Sequence, residues 1–281
     1  MIWSDGLRST EQTYMERILP ILSTLPWARA IVSRIESSGW IISENKPLLF
    51  EARYAYELHL AGISAVYEYS AGVGGSTVEF RIDTSPPWLV ELVSVRATVA
   101  AKAAIRPEGN IYIQSLGPHA GGSRQTEEAE IITVEQKIGE KVFSRDRPTK
   151  FPPPTDGYHL ILTDMRGYLD GVGEDEWDYL EIAYGAAGCP RIPEEFVHFS
   201  ATLAGIREPV KGLFDPKNPL RASTVLRERI HFLGFVHERA FAEGEITERA
   251  RYAHNPHLVL SSEQMTKAMA SYPLKRSSSQ S

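Results

Sequence analysis

Two glutamates twelve residues apart, Glu79 and Glu91, sit where a charge calls for chemistry. Glu91 interrupts the apolar run Trp88-Leu89-Val90-Glu91-Leu92-Val93, which follows Pro86-Pro87 and reads as a strand buried on both faces. A carboxylate there is costly unless it is paired or holds a metal ion. Glu79 lies in the alternating segment Thr77-Val78-Glu79-Phe80-Arg81-Ile82. Acids that converge from two adjacent strands suit a divalent cation, and Asp83, on the same side of its strand, competes to be the first ligand. Each acid also has an inert reading. Glu79 can face solvent, since Val78, Phe80 and Ile82 occupy the other face; Asp83 can be a turn residue; Glu91 can form a buried pair with Arg81.

Other constellations carry less. His254-Asn255-Pro256-His257 is broken by proline and reads as a surface turn rather than a helical metal face. Gly72-Val73-Gly74-Gly75-Ser76 has no lysine and precedes a strand, so it is not a phosphate-cradling loop. Cys189 is the single cysteine; it rules out a disulfide framework and a cysteine-rich zinc site, and it suits a reducing cytoplasm. No Gly-x-Ser-x-Gly elbow is present. Arg221, Arg227 and Arg229 share their segment with Glu228 and Glu238, which reads as a solvated mixed-charge face.

The elements that must position these residues follow from periodicity. Ser9 to about Ser38 is helical, with Pro20 expected to kink or split it. A second helix is expected from about Pro47 to Leu60, ending at Gly62. Strands are expected over Ile63–Tyr69, Thr77–Asp83 and Trp88–Val95, with a glycine-rich hairpin turn between the first two. Arg106 to Arg124 reads as an excursion from the core, with a short strand at Ile111–Ile113. Thr126 starts a helix with the apolar stripe Ile131, Val134, Ile138 and Val142. Phe151-Pro152-Pro153-Pro154 reads as a stiff linker before a buried strand, His159 to Asp164. Gly167 to Gly188 reads as an acidic loop and Ala222 to Ala242 as one more helix.

The 281 residues, 42% hydrophobic and 23% charged, are ordinary for a soluble globule. From the N-terminal residues no signal peptide is expected, and no apolar stretch approaches the length of a membrane span. A net charge of −6 weighs mildly against nucleic acid as a partner, although a local basic cleft is compatible with it.

The order helix, three strands, helix, strand, with acids on the second and third strands, resembles the restriction-endonuclease-like fold of the PD-(D/E)XK nuclease superfamily. The resemblance covers roughly Leu48 to Asp164. Val78-Glu79-Phe80-Arg81-Ile82 stands where that family has its first acid, and Glu91 stands at the second. Val93 occupies the position of the family's strand lysine. Some members supply that lysine from the following helix, where Lys137 and Lys141 share a face. Glu51 matches the acid that such families carry on the first core helix.

The resemblance implies an α/β protein with a mixed-sheet core over 46–166. A helical segment over 1–45, a mixed extension over 167–270 and a disordered tail over 271–281 would flank it. It also implies a Mg²⁺ or Mn²⁺ ion on Glu79 and Glu91, with Lys141, or else Lys137, beside the attacking water. The implied activity is phosphodiester hydrolysis in nucleic acid, DNA ahead of RNA, in the cytoplasm, with a homodimer as an option. The alternative is a core that has lost catalysis and serves as a binding or scaffolding module.

Overall fold

The computed structural model describes residues 6–108, 111–114, 127–155, 157–168, 177–186 and 209–274. Six strands form one mixed sheet in the order β1-β2-β3-β8-β9-β10. They are β1 (Ala65–Ser70), β2 (Thr77–Ile82), β3 (Trp88–Ser94), β8 (Tyr158–Asp164), β9 (Phe232–Val236) and β10 (Ala250–His254). β1, β2 and β3 pair antiparallel, β3–β8 and β8–β9 are parallel, and β10 closes antiparallel on β9. Two small hairpins lie outside this sheet. One pairs β4 (Ile105–Glu108) with β5 (Ile111–Gln114), the other β6 (Phe143–Ser144) with β7 (Arg147–Pro148).

Helices cover both faces. One face carries α1 (Ser9–Thr24), α2 (Arg29–Ser37), α3 (Lys46–Leu60) and a late helix, Ser262–Ser271. The other carries α4 (Val99–Ala104), α5 (Glu127–Val142), α6 (Asp178–Tyr184) and α7 (Arg221–Arg229). Numbered in chain order, Glu245–Arg249 is α8 and Ser262–Ser271 is α9. α3 starts beside Pro47, whose missing N–H costs nothing in a first turn, and ends just before Gly62, at φ +73°. Leu49, Phe50, Tyr54 and Leu58 of α3 are fully buried against the sheet. α5 buries the expected stripe Ile131, Val134, Ile138 and Val142 on the opposite face.

Three expectations are corrected. Pro20 does not split α1, which runs on to Thr24 before the break. Ala222 to Ala242 is not one helix: α7 stops at Arg229 and Phe232–Val236 is a strand, buried throughout because both sheet faces are covered there. Within the stretch read as an acidic loop, Asp178–Tyr184 forms α6. The excursion beyond Gln114, Thr126, Cys189 and the tail from Lys275 lie outside the described residues. Among the described residues, no helix is long and apolar enough to cross a membrane.

Where β8 begins, two histidines impose a pH dependence. The His159 backbone N–H donates to His231 Nδ1 at 3.1 Å, so that nitrogen must stay unprotonated. Burial pushes the His231 pKa down to about 4. The folded state therefore binds fewer protons than the unfolded chain as pH falls from about 6.5 to 4, and the stability contributed by neutral His231 is lost across that window. Denaturant unfolding at pH 7 and pH 5 should reveal an acid-induced loss on the order of 2 kcal/mol from this group. His231→Gln should lack that component; an unchanged pH slope in the variant would refute the assignment.

Candidate active site

Glu79 and Glu91 meet where the sheet opens. The β2–β3 ladder pairs Ile82 with Trp88, Arg81 with Leu89 and Phe80 with Val90, and it stops there. Glu79 and Glu91 would form the next rung. Instead the Glu79 backbone N–H donates to Glu91 Oε2 at 3.2 Å, and the Leu92 N–H donates to Glu79 Oε2. Each carboxylate thus takes up a backbone donor that the lost rung would leave unpaired, which removes a penalty of about 1–3 kcal/mol per buried group. β1 stays paired with β2 past this point, through Tyr69–Val78 and Ser70–Thr77, so only the β2–β3 seam parts.

Two lysines neutralise the acids. Lys141, on the last turn of α5, donates to Glu79 Oε1 at 3.2 Å and to Glu91 Oε1 at 2.8 Å. Lys150 also donates to Glu91 Oε1. Glu91 is fully buried, and its partners are these lysines and a backbone amide. Arg81, expected as its inert partner, instead pairs with Asp83 at 2.8 Å. All four oxygens of Glu79 and Glu91 thus hold a donor from the chain itself.

Burial and then the neighbouring Glu91 charge push the Glu79 pKa well above the usual carboxylate range. For Lys141, burial alone would lower the pKa, but the Coulomb pull and hydrogen bonds of Glu79 and Glu91 outweigh it and raise the pKa above the ordinary lysine value. Lys141 is therefore a fixed ammonium, able to donate to an anion but not to act as a base near neutrality.

A cleft of about 220 Å³ opens above this cluster between α3 and α5. Its lining includes Glu51, Glu79, Leu92, Lys137 and Lys141. Glu51 is held by the Tyr67 hydroxyl at 2.5 Å and by Arg34 at 3.4 Å, both to Oε2. Burial raises its pKa. Lys137 reaches the cleft but pairs with Glu140 at 2.9 Å on the exposed side of α5, with no bond to Glu79 or Glu91. Asp83 is not brought together with Glu79 and Glu91. It is exposed at the tightly paired end of β2, four residues, or roughly 13 Å of strand, from Glu79.

Lys150 is the site residue that sequence reading missed. The β6–β7 hairpin turns the chain back after α5, and Lys150 follows with φ +62°. A left-handed non-glycine residue costs about 1 kcal/mol or more and persists only when its surroundings hold it. Here Ser76 Oγ accepts the Lys150 N–H at 2.9 Å. Gly74 makes that docking close: a Cβ there would stand 3.2 Å from the Pro148 carbonyl. The available signal was the turn-prone Arg145-Asp146 pair, which adopts positive φ at both residues and reverses the chain.

His254 and His257 do not form a metal site. The His257 ring bonds the Phe214 carbonyl at 3.1 Å, and buried Asn255 between them caps the end of α7 through the Arg227 and Ile230 carbonyls. Among the described residues no cluster of three or more His, Cys, Asp or Glu side chains is arranged to hold a metal ion. The oxygen donors on offer are Glu79 and Glu91, with Glu51 lining the same cleft. Compared with known proteins, the chain matches no family model, no curated protein and no solved structure.

Proposed function

We propose that this chain carries a restriction-endonuclease-like core of the PD-(D/E)XK type and hydrolyses phosphodiester bonds in nucleic acid, DNA ahead of RNA, with Mg²⁺ or Mn²⁺. One observation carries the reading: two carboxylates from a parted strand pair converge on a single ammonium beneath an open cleft. The order of helix, three antiparallel strands, helix and parallel strand supports it.

Glu79 and Glu91 supply the oxygen type a hard cation takes, and binding one would displace the donors these oxygens now hold. Mg²⁺ is commonly bound by one or two carboxylates, with water and substrate phosphate completing its shell, so a third protein acid is not required. Lys141 Nζ already places positive charge within hydrogen-bonding distance of both carboxylates. Glu79 and Glu91 would hold the ion. When bound, it would supply charge neutralisation at the phosphate and an activated water.

The remaining roles belong to the chain. Lys141 lines the cleft as a permanent cation and donates to a phosphoryl oxygen or orients the attacking water. Lys150 is not among the cleft-lining residues; it fixes Glu91 from the side of the β6–β7 hairpin. Lys150→Met should therefore lower the turnover rate by about 10–100-fold and leave nucleic-acid affinity unchanged, as removal of a group that orients a ligand does. Single-turnover rates and binding isotherms for the variant check this, and equal losses in both would contradict it.

A second reading, a binding or scaffolding module without catalysis, is favoured by the internal donor on every oxygen of Glu79 and Glu91 and by Val93 at the usual lysine position. One experiment separates the two. End-labelled single- and double-stranded DNA and RNA are incubated with the protein and Mg²⁺ or Mn²⁺, then again with EDTA. Shortened products that require the cation support hydrolysis; intact substrates under every condition support the module.

A further inference from the structure

A second cavity, of about 130 Å³, adjoins this cleft and is lined by more cations than anions. Lys46, Arg96 and Lys102 line it, with Glu44 as the opposing carboxylate. Glu44 is turned toward Ser43, whose hydroxyl donates to it at 3.0 Å, and Arg96 is pinned by a bond to the Glu44 carbonyl at 2.8 Å. Ser94 lines both cavities, and the adjacent residues Lys46 and Pro47 each face one of them. The wall between them is thus the end of β3 and the first turn of α3.

Position and size define the ligand. The cavity lies outside the carboxyl ends of the parallel strands β3 and β8, the crevice where open α/β sheets bind their ligands. Gly167, just past β8, lets that chain lie against β3: a Cβ there would stand 2.0 Å from the Val95 carbonyl. The volume is below the range of about 300–1,000 Å³ typical of pockets for whole small molecules, and suits one phosphate group with its waters. Arg96 follows Leu92 by four residues, about 13 Å of extended chain, so a single nucleic-acid strand can reach both places.

We infer that this cavity is a phosphate subsite, holding a backbone phosphate of the same strand whose scissile phosphate lies over Glu79 and Glu91. The inference rests on the proposed nucleic-acid substrate, but its test reads binding rather than hydrolysis. Arg96 and Lys102 are exposed, so Arg96→Gln and Lys102→Gln are compatible with folding. Fluorescence anisotropy with labelled duplex DNA in EDTA gives the dependence of log K on log salt. Both cations serve one phosphate, so the paired substitution should flatten that slope by about 0.9, and each single substitution by part of that. Arg221→Gln, an exposed arginine paired with Asp146, should leave the slope unchanged.

Unchanged slopes in Arg96→Gln and Lys102→Gln, or an equal loss in Arg221→Gln, overturn the subsite. So does a wild-type protein that does not bind DNA. If the slopes flatten while the wild type cuts nothing, the subsite stands and hydrolysis fails. If the wild type cuts and the slopes hold, hydrolysis stands and the subsite fails.

Discussion

Glu91→Gln should abolish cation-dependent cleavage, with a fall of about 10³-fold or more, equivalent to roughly 4 kcal/mol of lost transition-state stabilisation. Glutamine keeps the shape of the side chain and removes the charge that two lysines and the proposed cation share. It is preferable to alanine, which would also remove the side chain's volume and its hydrogen-bond acceptor from a fully buried position and confound activity with folding. Initial rates on labelled DNA, with thermal unfolding as a control, read the effect. A Glu91→Gln protein that is folded and cuts at the wild-type rate contradicts the role assigned to this residue.

Arg53→Ala should produce the largest loss of stability, about 3–5 kcal/mol, which at this chain length corresponds to a fall in Tm of roughly 10 °C. Arg53 is 1% exposed, forms an ion pair with Glu238 and stands 4.0 Å from Asp164, with its guanidinium 3.7 Å from the centre of the Phe241 ring. Burial raises the pKa of both acids, that of Glu238 to about 7, so their charges depend on this arginine. Removing it strands them. The same contact ties α3 to the carboxyl end of β8 and to the segment after β9, and α3 carries Glu51 and Lys46 over the two cavities. Thermal and denaturant unfolding of Arg53→Ala check the magnitude. A shift below about 1 kcal/mol would show that the cluster is not what holds α3 in place.

Four of the six strands of the central sheet, β1, β2, β3 and β8, and the two acids were legible because their signals are local. β-branched runs bounded by proline and glycine fixed β1, β2 and β3, and a single charge inside an apolar run marked Glu91. The partnership with Lys141 followed from a helix face. What stayed hidden is non-local. Lys150 follows Lys141 by nine residues and enters the site only because a two-rung hairpin reverses the chain; in the sequence it merely precedes the Phe151-Pro152-Pro153-Pro154 stretch. β9 was absorbed into a helix because the amphipathic Arg221–Arg229 segment runs directly into apolar residues, although Gly234 argued against helix there. Asp83 shares a strand side with Glu79 but not its surroundings, since the β2–β3 seam opens only at one end. Parting of a ladder has no sequence signature that periodicity can read.

The most direct test of a two-carboxylate cation site is Mn²⁺ binding, followed by electron paramagnetic resonance or calorimetry, on the wild type and on Glu79→Gln and Glu91→Gln. The account predicts one site in the wild type that is lost in both variants. A wild-type protein that binds no Mn²⁺, or variants that bind it as the wild type does, would contradict it.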